Sequence, residues 1–359
     1  MARVDLILTA DYEVWGNGDG CVEKCVIDPS EKMMAIAEKH GARITFFLDI
    51  CEYWAFEQVE SSGRFNGKYK PATLIKDQLQ DAVARGHDVQ LHFHPQWLNY
   101  TFISNHKWNL DFRYWRLPEV DNYHTEDWNV EKLFIEGVNS LEELFRPVKS
   151  DYKVHTFRAG AWCIQPENSI LNAIKKTGIL VDSTVAPGRK DDTLPNYYDF
   201  FKTPEETSWK IGKKVNESGA SGILEIPIST ARLSSFESLY FKFLKLRYKS
   251  QILPKNCVRS KTEIYGNIGL KKKLSNIFNQ QAMLNFSDGT SFKELKTITE
   301  RVVQKFESKA ADYIPLVAIS HPKTFGYSAE FERYLTWADK IGKVTYSTYS
   351  EALKKLADK

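Results

Sequence analysis

The stretch that decides the fold is Gly86-His87-Asp88-Val89-Gln90-Leu91-His92-Phe93-His94-Pro95-Gln96-Trp97. Apolar residues at every second position from Val89 to Phe93 alternate with polar ones, which is the period-two pattern of a β-strand. His92 and His94 therefore share one face of the strand, and Pro95, which lacks an N–H, ends its pairing. Two imidazoles side by side at the carboxyl end of a strand can form half of a metal site, although one structural and one exposed histidine would give the same pattern.

Strand and helix patterns alternate along the chain on both sides of this segment. Apolar runs predict six further strands, over residues 4–9, 42–49, 154–158, 179–182, 222–228 and 315–319. Apolar residues at helical spacing predict helices over residues 28–40, 71–85, 130–145, 165–176, 292–308, 329–341 and 349–356. This alternation is typical of a parallel sheet, so the sequence predicts an α/β protein in which one (β/α) barrel spans residues 1–359.

Two insertions interrupt the barrel pattern, and the first covers residues 99–129. It shows no clear period and carries several aromatic residues among polar ones, namely Trp108, Tyr114, Trp115, Tyr123 and Trp128. So many aromatic side chains predict a packed loop, and aromatic faces above a barrel mouth are also suited to contact with sugar rings.

The second insertion covers residues 230–290 and is predicted to be basic, aromatic and mostly helical. Between Lys242 and Lys273 it has ten Lys or Arg residues and one acidic residue, a local charge of +9 in a chain whose net charge is +3. This segment could contact an anionic membrane lipid or an anionic lipid-linked substrate. It could equally be a solvated helical hairpin that packs on the barrel.

Composition excludes several classes of protein. A net charge of +3 on 359 residues does not suggest a nucleic-acid partner, and no apolar run approaches the roughly 20 residues that span a bilayer. Residues 1–8 read as a strand and not as a signal peptide, so we expect a cytoplasmic protein. The cysteines are scattered and odd in number, so we expect reduced thiols at Cys21, Cys25, Cys51, Cys163 and Cys257.

Polar or ionisable residues end five of the seven predicted strands. They are Asp11 and Glu13, His92 and His94, Arg158, Asp182, and His321. Each residue alone has an ordinary explanation, such as a helix cap, a surface pairing partner or a packed histidine. Because the carboxyl ends of barrel strands meet at one rim, we expect these side chains to lie together.

Such a set is suited to metal-assisted hydrolysis. A carboxylate and two imidazoles can hold a divalent metal and leave positions open for water and substrate. Asp11 and Glu13 could divide two roles, one as a metal ligand and the other as the base that takes a proton from water. His321 could donate a proton to the leaving amine. Arg158 could hold the base carboxylate in a bidentate bond that keeps it ionised.

Five segments that carry these residues also match a known set of motifs. In chain order they are Thr9-Ala10-Asp11-Tyr12-Glu13, Gly86-His87-Asp88-Val89-Gln90-Leu91-His92, Arg158-Ala159-Gly160-Ala161-Trp162, Asp182-Ser183 and Ser320-His321-Pro322. Together they resemble the polysaccharide deacetylases of carbohydrate esterase family 4, which contain the NodB-homology domain. The resemblance covers about residues 4–345 outside the insertions and indicates a divergent branch related to surface-polysaccharide biosynthesis.

The resemblance implies a distorted (β/α)7 barrel that removes acetyl groups from N-acetylated sugars with a divalent metal, most often Zn2+. It implies that Asp11 is the catalytic base, that His321 is the general acid, and that Arg158 supports the base. Four further residues are expected to contact the substrate, namely Trp15, Trp97, Trp162 and Asp182.

The resemblance also implies a metal site with one carboxylate and two histidines, and here this sequence departs from the family. Glu13 stands in place of the family's metal-binding Asp, and Gln96 stands where its last histidine is expected. His94 lies two residues away, so we predict Glu13, His92 and His94 as the ligands. His87, at the start of its strand, is predicted to be structural.

These residues predict a metal-dependent hydrolase that removes an acyl group, such as acetyl, from an N-acylated sugar in a polysaccharide or a lipid-linked precursor. The expected partners are that sugar or glycan, no nucleic acid, and at the periphery a membrane or an anionic lipid-linked substrate. Three alternatives stay open: hydrolysis of another C–N amide bond by the same site, an inactive barrel that binds glycan through residues 99–129, and a scaffold that docks on membrane through residues 242–273.

Overall fold

The computed structural model describes residues 2–123, 127–252, 280–326 and 328–357. Most of the basic stretch that begins at Lys242 lies outside these ranges, as does Cys257. Four cysteines lie within the described ranges, namely Cys21, Cys25, Cys51 and Cys163, and no disulfide joins any two of them. Among the described helices, none combines the length and the apolar character that a membrane span requires.

The strands follow the predicted order along the chain, with several short additions. They are β1 (Arg3–Tyr12), β2 (Ile44–Asp49), β3 (Asp88–Phe93), β4 (Tyr100–Ser104), β5 (Lys107–Leu110), β6 (Thr156–Ala159), β7 (Val181–Asp182), β8 (Lys190–Asp191), β9 (Tyr198–Asp199), β10 (Trp209–Lys210), β11 (Leu224–Glu225), β12 (Thr230–Arg232), β13 (Gln281–Met283), β14 (Tyr313–Ala318) and β15 (Val344–Tyr346).

The helices lie between these strands, except that the last helix follows the last strand. They are α1 (Asp28–Lys39), α2 (Ile50–Ser61), α3 (Pro71–Ala84), α4 (Glu119–Asn122), α5 (Val130–Phe145), α6 (Asn168–Thr177), α7 (Ser235–Ile252), α8 (Phe292–Glu307), α9 (Ser328–Ile341) and α10 (Tyr349–Ala357). Local capping sets several of their ends. The Asn129 side chain accepts a hydrogen bond from Lys132 N at 2.8 Å at the start of α5, and Gly178, with φ of 76°, ends α6.

Seven parallel strands surround a common interior. The sheet runs β10-β11-β7-β6-β3-β2-β1-β14, with β15 paired to β1, and β10 is an antiparallel addition at one edge. A parallel bridge between Ile228 and Val317 joins the segment after β11 to β14, and Ser229 N donates to Val317 O at 3.0 Å. This bridge closes the sheet, which confirms the α/β class and the distorted (β/α)7 barrel.

The interior of the barrel is apolar and is capped by the last helix. Buried side chains from different strands fill it, namely Ile7, Phe47, Val181, Ile226 and Val317. Tyr349 of α10 reaches into this cluster, where its ring lies 5.8 Å from that of Phe47. Its amide donates to the Thr45 hydroxyl near the start of β2 at 3.1 Å. Polar chemistry is therefore left to the other end of the barrel, where the strands finish.

Helix α2 is an element that the sequence pattern did not predict. It follows β2 directly, and the Asp49 carboxylate caps it by accepting a hydrogen bond from Cys51 N at 3.2 Å. Its apolar residues do not keep to one face, since Tyr53, Ala55 and Phe56 are all buried. A helix without a one-sided apolar pattern has no helical period to detect in the sequence.

Both insertions contain more regular structure than the sequence predicts. In the first, β4 and β5 form a hairpin, and Trp108 and Trp115 are buried, so the loop is packed as expected. In the second, α7 is helical as predicted, while β12 pairs with β13. Residues 253–279 of that insertion lie outside the described residues.

Candidate metal centre and active-site cavity

The register of the sheet aligns the polar residues at the strand ends. Asp49 of β2 pairs with His92 of β3, and His92 pairs with Arg158 of β6. Asp11 lies near the end of β1, and Glu13 follows that strand directly. Parallel strands in this register bring their last residues to one rim, as the sequence predicted.

Glu13, His92 and His94 form a compact cluster of possible metal ligands. Each offers one ligand atom, all of these atoms lie within 4.8 Å of one another, and all three residues are buried. His94 Nε2 lies 2.7 Å from Glu13 Oε2. One carboxylate and two imidazoles are a donor set that suits a divalent ion such as zinc.

His92 has the hydrogen bonding of a histidine that is prepared for a metal. Its Nδ1 lies 2.8 Å from the carbonyl oxygen of Arg158, and because a carbonyl only accepts, this nitrogen carries the proton. Its Nε2 is therefore an unprotonated acceptor, and it is buried without a hydrogen-bond partner among the described residues. A metal-ligating histidine typically fixes its tautomer through such a bond. Burial also lowers the pKa of His92 to about 4, which keeps the ring neutral.

Gln96 is next to the cluster but faces the other nitrogen of His94. Its amide nitrogen lies 3.2 Å from His94 Nδ1 and 3.3 Å from the Gly16 carbonyl oxygen. Its oxygen is buried without a partner among the described side chains. Because a carboxamide can present either its NH2 or its oxygen, Gln96 can support His94 in either tautomer. The geometry therefore brings His94, and not Gln96, to Glu13 and His92.

Asp11 lies beside the cluster and is bound by Arg158. The Nη1 atom of Arg158 donates to Asp11 Oδ1 at 2.6 Å and to the Thr9 hydroxyl at 3.1 Å. Its other nitrogens donate to the backbone carbonyl and hydroxyl of Ser183. The contact with Asp11 is thus single, and the predicted bidentate bond is wrong because Ser183 and Thr9 occupy the rest of the guanidinium. Burial would raise the pKa of Asp11, but the charges of Arg158, His92 and His321 together outweigh burial and lower that pKa.

His321 and Lys323 complete the rim from the end of β14. His321 Nε2 lies 3.5 Å from Asp11 Oδ2 and 3.9 Å from Glu13 Oε1, and its side chain is 20% exposed, so it can meet a ligand. Lys323 Nζ donates to Glu13 Oε1 at 2.6 Å and to the Val14 carbonyl at 2.8 Å. Sequence reasoning missed Lys323, although it lies two residues after His321.

The charges around Glu13 determine which groups are ionised. Burial would raise the pKa of Glu13, but His94 and Lys323 outweigh it and hold that pKa well below its usual range. Burial would likewise lower the pKa of His94, but the Glu13 carboxylate raises it. Lys323 holds Oε1 of Glu13, which leaves Oε2 as the oxygen that faces the His94 imidazole.

Two more buried carboxyl groups support the site, and the sequence did not indicate them. Asp49 Oδ1 accepts a hydrogen bond from His94 N at 3.0 Å, while burial raises the pKa of Asp49 to about 7. Glu52 accepts a hydrogen bond from Val14 N at 3.0 Å, and burial raises its pKa well above the usual range. Both groups hold the backbone of residues at the rim. Their role depends on contacts between distant segments, which leave no local pattern.

A cavity of about 210 Å3 opens over the cluster. Its walls include the polar rim residues and three tryptophans, namely Asp11, Glu13, His92, His94, His321, Lys323, Trp15, Trp115 and Trp162. The Trp115 indole donates to the Asn196 side chain at 2.8 Å, and Asn196 also lines the cavity. Trp115 belongs to the aromatic insertion that the sequence suggested for sugar contact, whereas sequence reasoning did not select Asn196, which comes from a loop between short strands.

Two residues that the sequence predicted as substrate contacts do not line this cavity. Trp97 is only 1% exposed, and its ring packs 5.6 Å from Phe56 and 5.3 Å from Trp108. Asp182 is fully buried and accepts a hydrogen bond from the Thr184 hydroxyl at 2.5 Å. Burial raises the pKa of Asp182 to about 6. Both residues therefore lie in the packed structure around the site.

The backbone after β6 is shaped by close contact with the cluster. A Cβ on Gly160 would lie 2.3 Å from the Phe93 carbonyl oxygen and 2.8 Å from the His94 ring, so only glycine fits. Ala161 and Trp162 follow with φ of 49° and 57°. Two consecutive non-glycine residues in the left-handed region are uncommon, and here they bring Trp162 to the cavity wall.

Comparison with solved structures finds similar chains, several of them polysaccharide deacetylases. A protein from Mycobacterium smegmatis described as a polysaccharide deacetylase shares 10% identity, covers 99% of this chain and 91% of its own, and has a TM-score of 0.49. The catalytic domain of a peptidoglycan N-acetylglucosamine deacetylase from Eubacterium rectale shares 9% identity, with 97% and 89% coverage and a TM-score of 0.37. An allantoinase shares 12% identity, with 97% and 88% coverage and a TM-score of 0.44.

No family model and no curated protein matches the sequence. Likenesses at this level of identity and TM-score do not decide the activity of this chain.

Proposed function

We propose that this protein is a metal-dependent hydrolase that removes an acyl group, such as acetyl, from the nitrogen of an N-acylated sugar in a polysaccharide or a lipid-linked precursor. One observation carries the proposal. His92 Nε2 is buried, is unprotonated and has no hydrogen-bond partner among the described residues, within 4.8 Å of ligand atoms on Glu13 and His94. A buried acceptor without a donor is costly, and a cation at this position would satisfy it.

The ligands we assign are Glu13 through Oε2, His92 through Nε2 and His94 through Nε2, and the metal we expect is Zn2+. Two imidazoles and one carboxylate are a common zinc donor set. A metal held there would polarise the acyl carbonyl and lower the pKa of a water molecule.

Asp11 is the group that we assign as the base. Its pKa is lowered by Arg158, so it is ionised at neutral pH and can accept a proton from water. Its second oxygen, Oδ2, faces His321 and not Arg158. Arg158 thus orients one oxygen of the carboxylate and leaves the other toward the cavity.

His321 is the group that we assign as the proton donor to the leaving amine. It is the most exposed of the ionisable rim residues beside Asp11 and Glu13, at 20% against 5% and 6% for those two carboxylates. His321 lines the same cavity as Asp11, so one bound amide can contact both residues. Trp15, Trp115 and Trp162 provide aromatic walls that are suited to the faces of a sugar ring.

The replacement Asp11→Asn tests this assignment. Asn keeps the size of the side chain but cannot accept a proton, so kcat for deacylation of an N-acetylated sugar should fall by about 10²- to 10⁴-fold. Zinc affinity, measured by isothermal titration calorimetry, should stay close to that of the wild type because Asp11 is not a ligand. Asn17→Ala, a substitution at another polar residue that lines the same cavity, is the control variant.

Two results would overturn parts of the proposal. Full activity in Asp11→Asn would exclude Asp11 as the base, and unchanged activity after complete chelation of metal would exclude metal dependence. The substrate class is tested separately with a panel of N-acylated sugars and small linear and cyclic amides. Turnover of the small amides alone would overturn the sugar assignment and leave the hydrolytic site.

A further inference from the structure

The cavity over the metal cluster is small for a site that acts along a polysaccharide. Its volume of about 210 Å3 is below the roughly 300–1,000 Å3 of pockets that bury a drug-sized ligand. A space of this size can hold one sugar ring with its acyl group, whereas an internal sugar of a chain also needs room for the sugars on both sides of it. The wall around the cavity therefore determines which sugars can reach Asp11 and His321.

The first part of the wall joins the loop after β1 to the first insertion. Asp19 forms an antiparallel bridge with Lys107 of β5, and Gly20 N donates to the His106 carbonyl oxygen at 3.1 Å. Gly16, which lines the cavity, packs so closely on Trp115 that a Cβ at this position would lie 3.3 Å from the indole. These two segments therefore form one continuous piece of wall.

The second part of the wall joins the first insertion to the loop between β8 and β9. The Trp115 indole donates to the Asn196 side chain at 2.8 Å, and Asn196 in turn donates to Asp191 at 3.1 Å. Both ends of the Asn196 amide are thus used, which holds the buried Trp115 indole in place. The Arg116 guanidinium also lies 5.9 Å from the centroid of the Tyr197 ring, a distance that allows a cation–π contact. Two contacts therefore link these segments.

The wall continues from this loop to the backbone after β6. The Tyr198 ring lies 5.9 Å from the Trp162 ring in an edge-to-face arrangement, and Tyr197 N donates to Cys163 Sγ at 3.4 Å. Ala161 and Trp162 both lie in the left-handed region of the backbone, with φ of 49° and 57°. Such a conformation persists where surrounding contacts hold it, so the Trp162 indole is a fixed part of the wall.

At the other end, Lys323 joins the wall to the segment that carries His321. Its Nζ lies 5.7 Å from the centroid of the Trp15 indole and donates to the Val14 carbonyl oxygen at 2.8 Å. Within the part of the chain that the structure describes, the linked wall thus extends from Lys323 round to Trp162. The side between Trp162 and His321 is left for entry.

We propose that the site accepts a terminal or a free N-acylated sugar and excludes the internal sugars of a polysaccharide. To place its amide at Asp11 and His321, a sugar must lie inside the wall. A terminal sugar can do so while its one neighbour lies in the entrance, whereas an internal sugar would need its second neighbour to pass through the wall. This inference rests on the proposed function, and it names the class of sugar that the same site takes.

The probes that test it are four trisaccharides. One consists of glucose alone, and in the other three a single N-acetylglucosamine replaces the first, the middle or the last glucose. Binding is measured by isothermal titration calorimetry on the Asp11→Asn protein, which keeps the cavity and should not turn over the sugar. At least one of the two end isomers should bind roughly tenfold more tightly than the glucose trisaccharide, because a sugar inside the wall brings its acyl amide to the polar rim. The middle isomer should bind no more tightly than the glucose trisaccharide.

Three variants test the wall itself. Trp115→Ala removes the indole that joins two parts of the wall, so the middle isomer should gain affinity relative to the end isomers. Asn196→Ala removes only the acceptor of that indole and should change the preference in the same direction by less. Trp54→Ala is the matched control, because the Trp54 indole also donates to a side chain, that of Ser140 at 3.1 Å, but lies outside the cavity wall. It should leave the preference unchanged, and thermal unfolding scans check that each variant folds.

Acetate release by the zinc-loaded wild type separates this inference from the proposed function. Release from an end isomer and not from the middle isomer supports both. A middle isomer that binds or releases acetate as well as the better end isomer would overturn the inference, and so would three isomers that bind no more tightly than the glucose trisaccharide. Tighter binding of an end isomer without acetate release from any probe would overturn the proposed function and still support the terminal-sugar site.

Discussion

Buried polar residues at the two ends of the barrel differ in how many hydrogen-bond partners the protein gives them. The two buried aspartates of strand β1 show this difference. Near its start, Asp5 accepts hydrogen bonds from Tyr313 at 3.0 Å, Ser347 at 2.9 Å and Lys355 at 2.6 Å, and also from Thr345. Near its end, Asp11 has Arg158 on one oxygen, and its other oxygen faces His321 across 3.5 Å.

Strand β3 repeats the contrast with two histidines. His87, just before the strand, accepts a hydrogen bond from Ile44 N at 2.9 Å through Nδ1, and its Nε2 lies 3.1 Å from Glu38. His92, near the end of the strand, instead donates from Nδ1 to the Arg158 carbonyl oxygen at 2.8 Å, and its Nε2 has no partner among the described residues. The sequence reading of His87 as structural agrees with these contacts.

This difference distinguishes the polar groups that stabilise the fold from those that can bind a ligand. At the start of the strands the lone pairs of buried polar groups are used within the protein, so these groups stabilise the fold and have nothing left to offer a ligand. At the end of the strands, atoms of His92, Gln96 and Asp49 are left without partners among the described residues. Unsatisfied buried atoms lower stability, and they are kept where a ligand completes them.

The largest effect that the comparison predicts is on metal binding. His92→Ala should lower zinc affinity by at least about 100-fold, because it removes a ligand and not only an outer partner. Removal of His87 by His87→Ala should leave zinc affinity unchanged and instead cost about 1–3 kcal/mol of stability, since Ile44 N loses its acceptor. Titration calorimetry and urea unfolding on both variants measure the contrast. Wild-type zinc affinity in His92→Ala would contradict it.

The next effect is on stability at the start of β1. Asp5→Asn leaves Lys355 without its anion and should lower the free energy of unfolding by about 3 kcal/mol, measured by urea denaturation. At a temperature where the variant is folded, its kcat should equal that of the wild type. A large loss of kcat in folded Asp5→Asn would show that the two ends of the strand are coupled.

The smallest effect is a pH dependence of the free energy of unfolding that arises from His87. Burial lowers the pKa of His87 to about 4. The unfolded chain takes up this proton near pH 6.5, before the folded chain does, so the stability that neutral His87 contributes is complete above that pH and is lost as the pH falls toward 4. Between pH 7 and pH 5 the loss should be about 2 kcal/mol. Urea midpoints at both pH values should therefore differ more in the wild type than in His87→Gln. Equal differences would contradict this role.

Much of the fold could be predicted because its signals are local. The bounds of α3, α8 and α9 follow from apolar spacing, and the strand that carries His92 and His94 follows from its period of two. Helix α2 could not be predicted because its apolar residues surround it. The rim itself followed from barrel geometry, which gathers Asp11, Glu13, Arg158 and His321 once the strand ends are known.

The remainder of the site could not be predicted because it depends on contacts between segments far apart in the chain. Lys323 reaches Glu13 across 310 residues, and Asp49 holds the backbone of His94 across 45. Trp97 and Asp182 lie at or just beyond strand ends, where the sequence predicts substrate contacts, but both are buried. The direction of a side chain at such a position depends on the residues that pack against it.

The sequence by itself determined that two imidazoles end one strand of a (β/α) barrel near an Asp and a Glu, because a period of two and the direction of parallel strands are properties of the local chain. Only the tertiary structure decided which atoms of those residues have partners. It placed Gln96 behind His94 and left Nε2 of His92 without a partner among the described residues. That distinction arises from packing between distant segments, which no local pattern encodes.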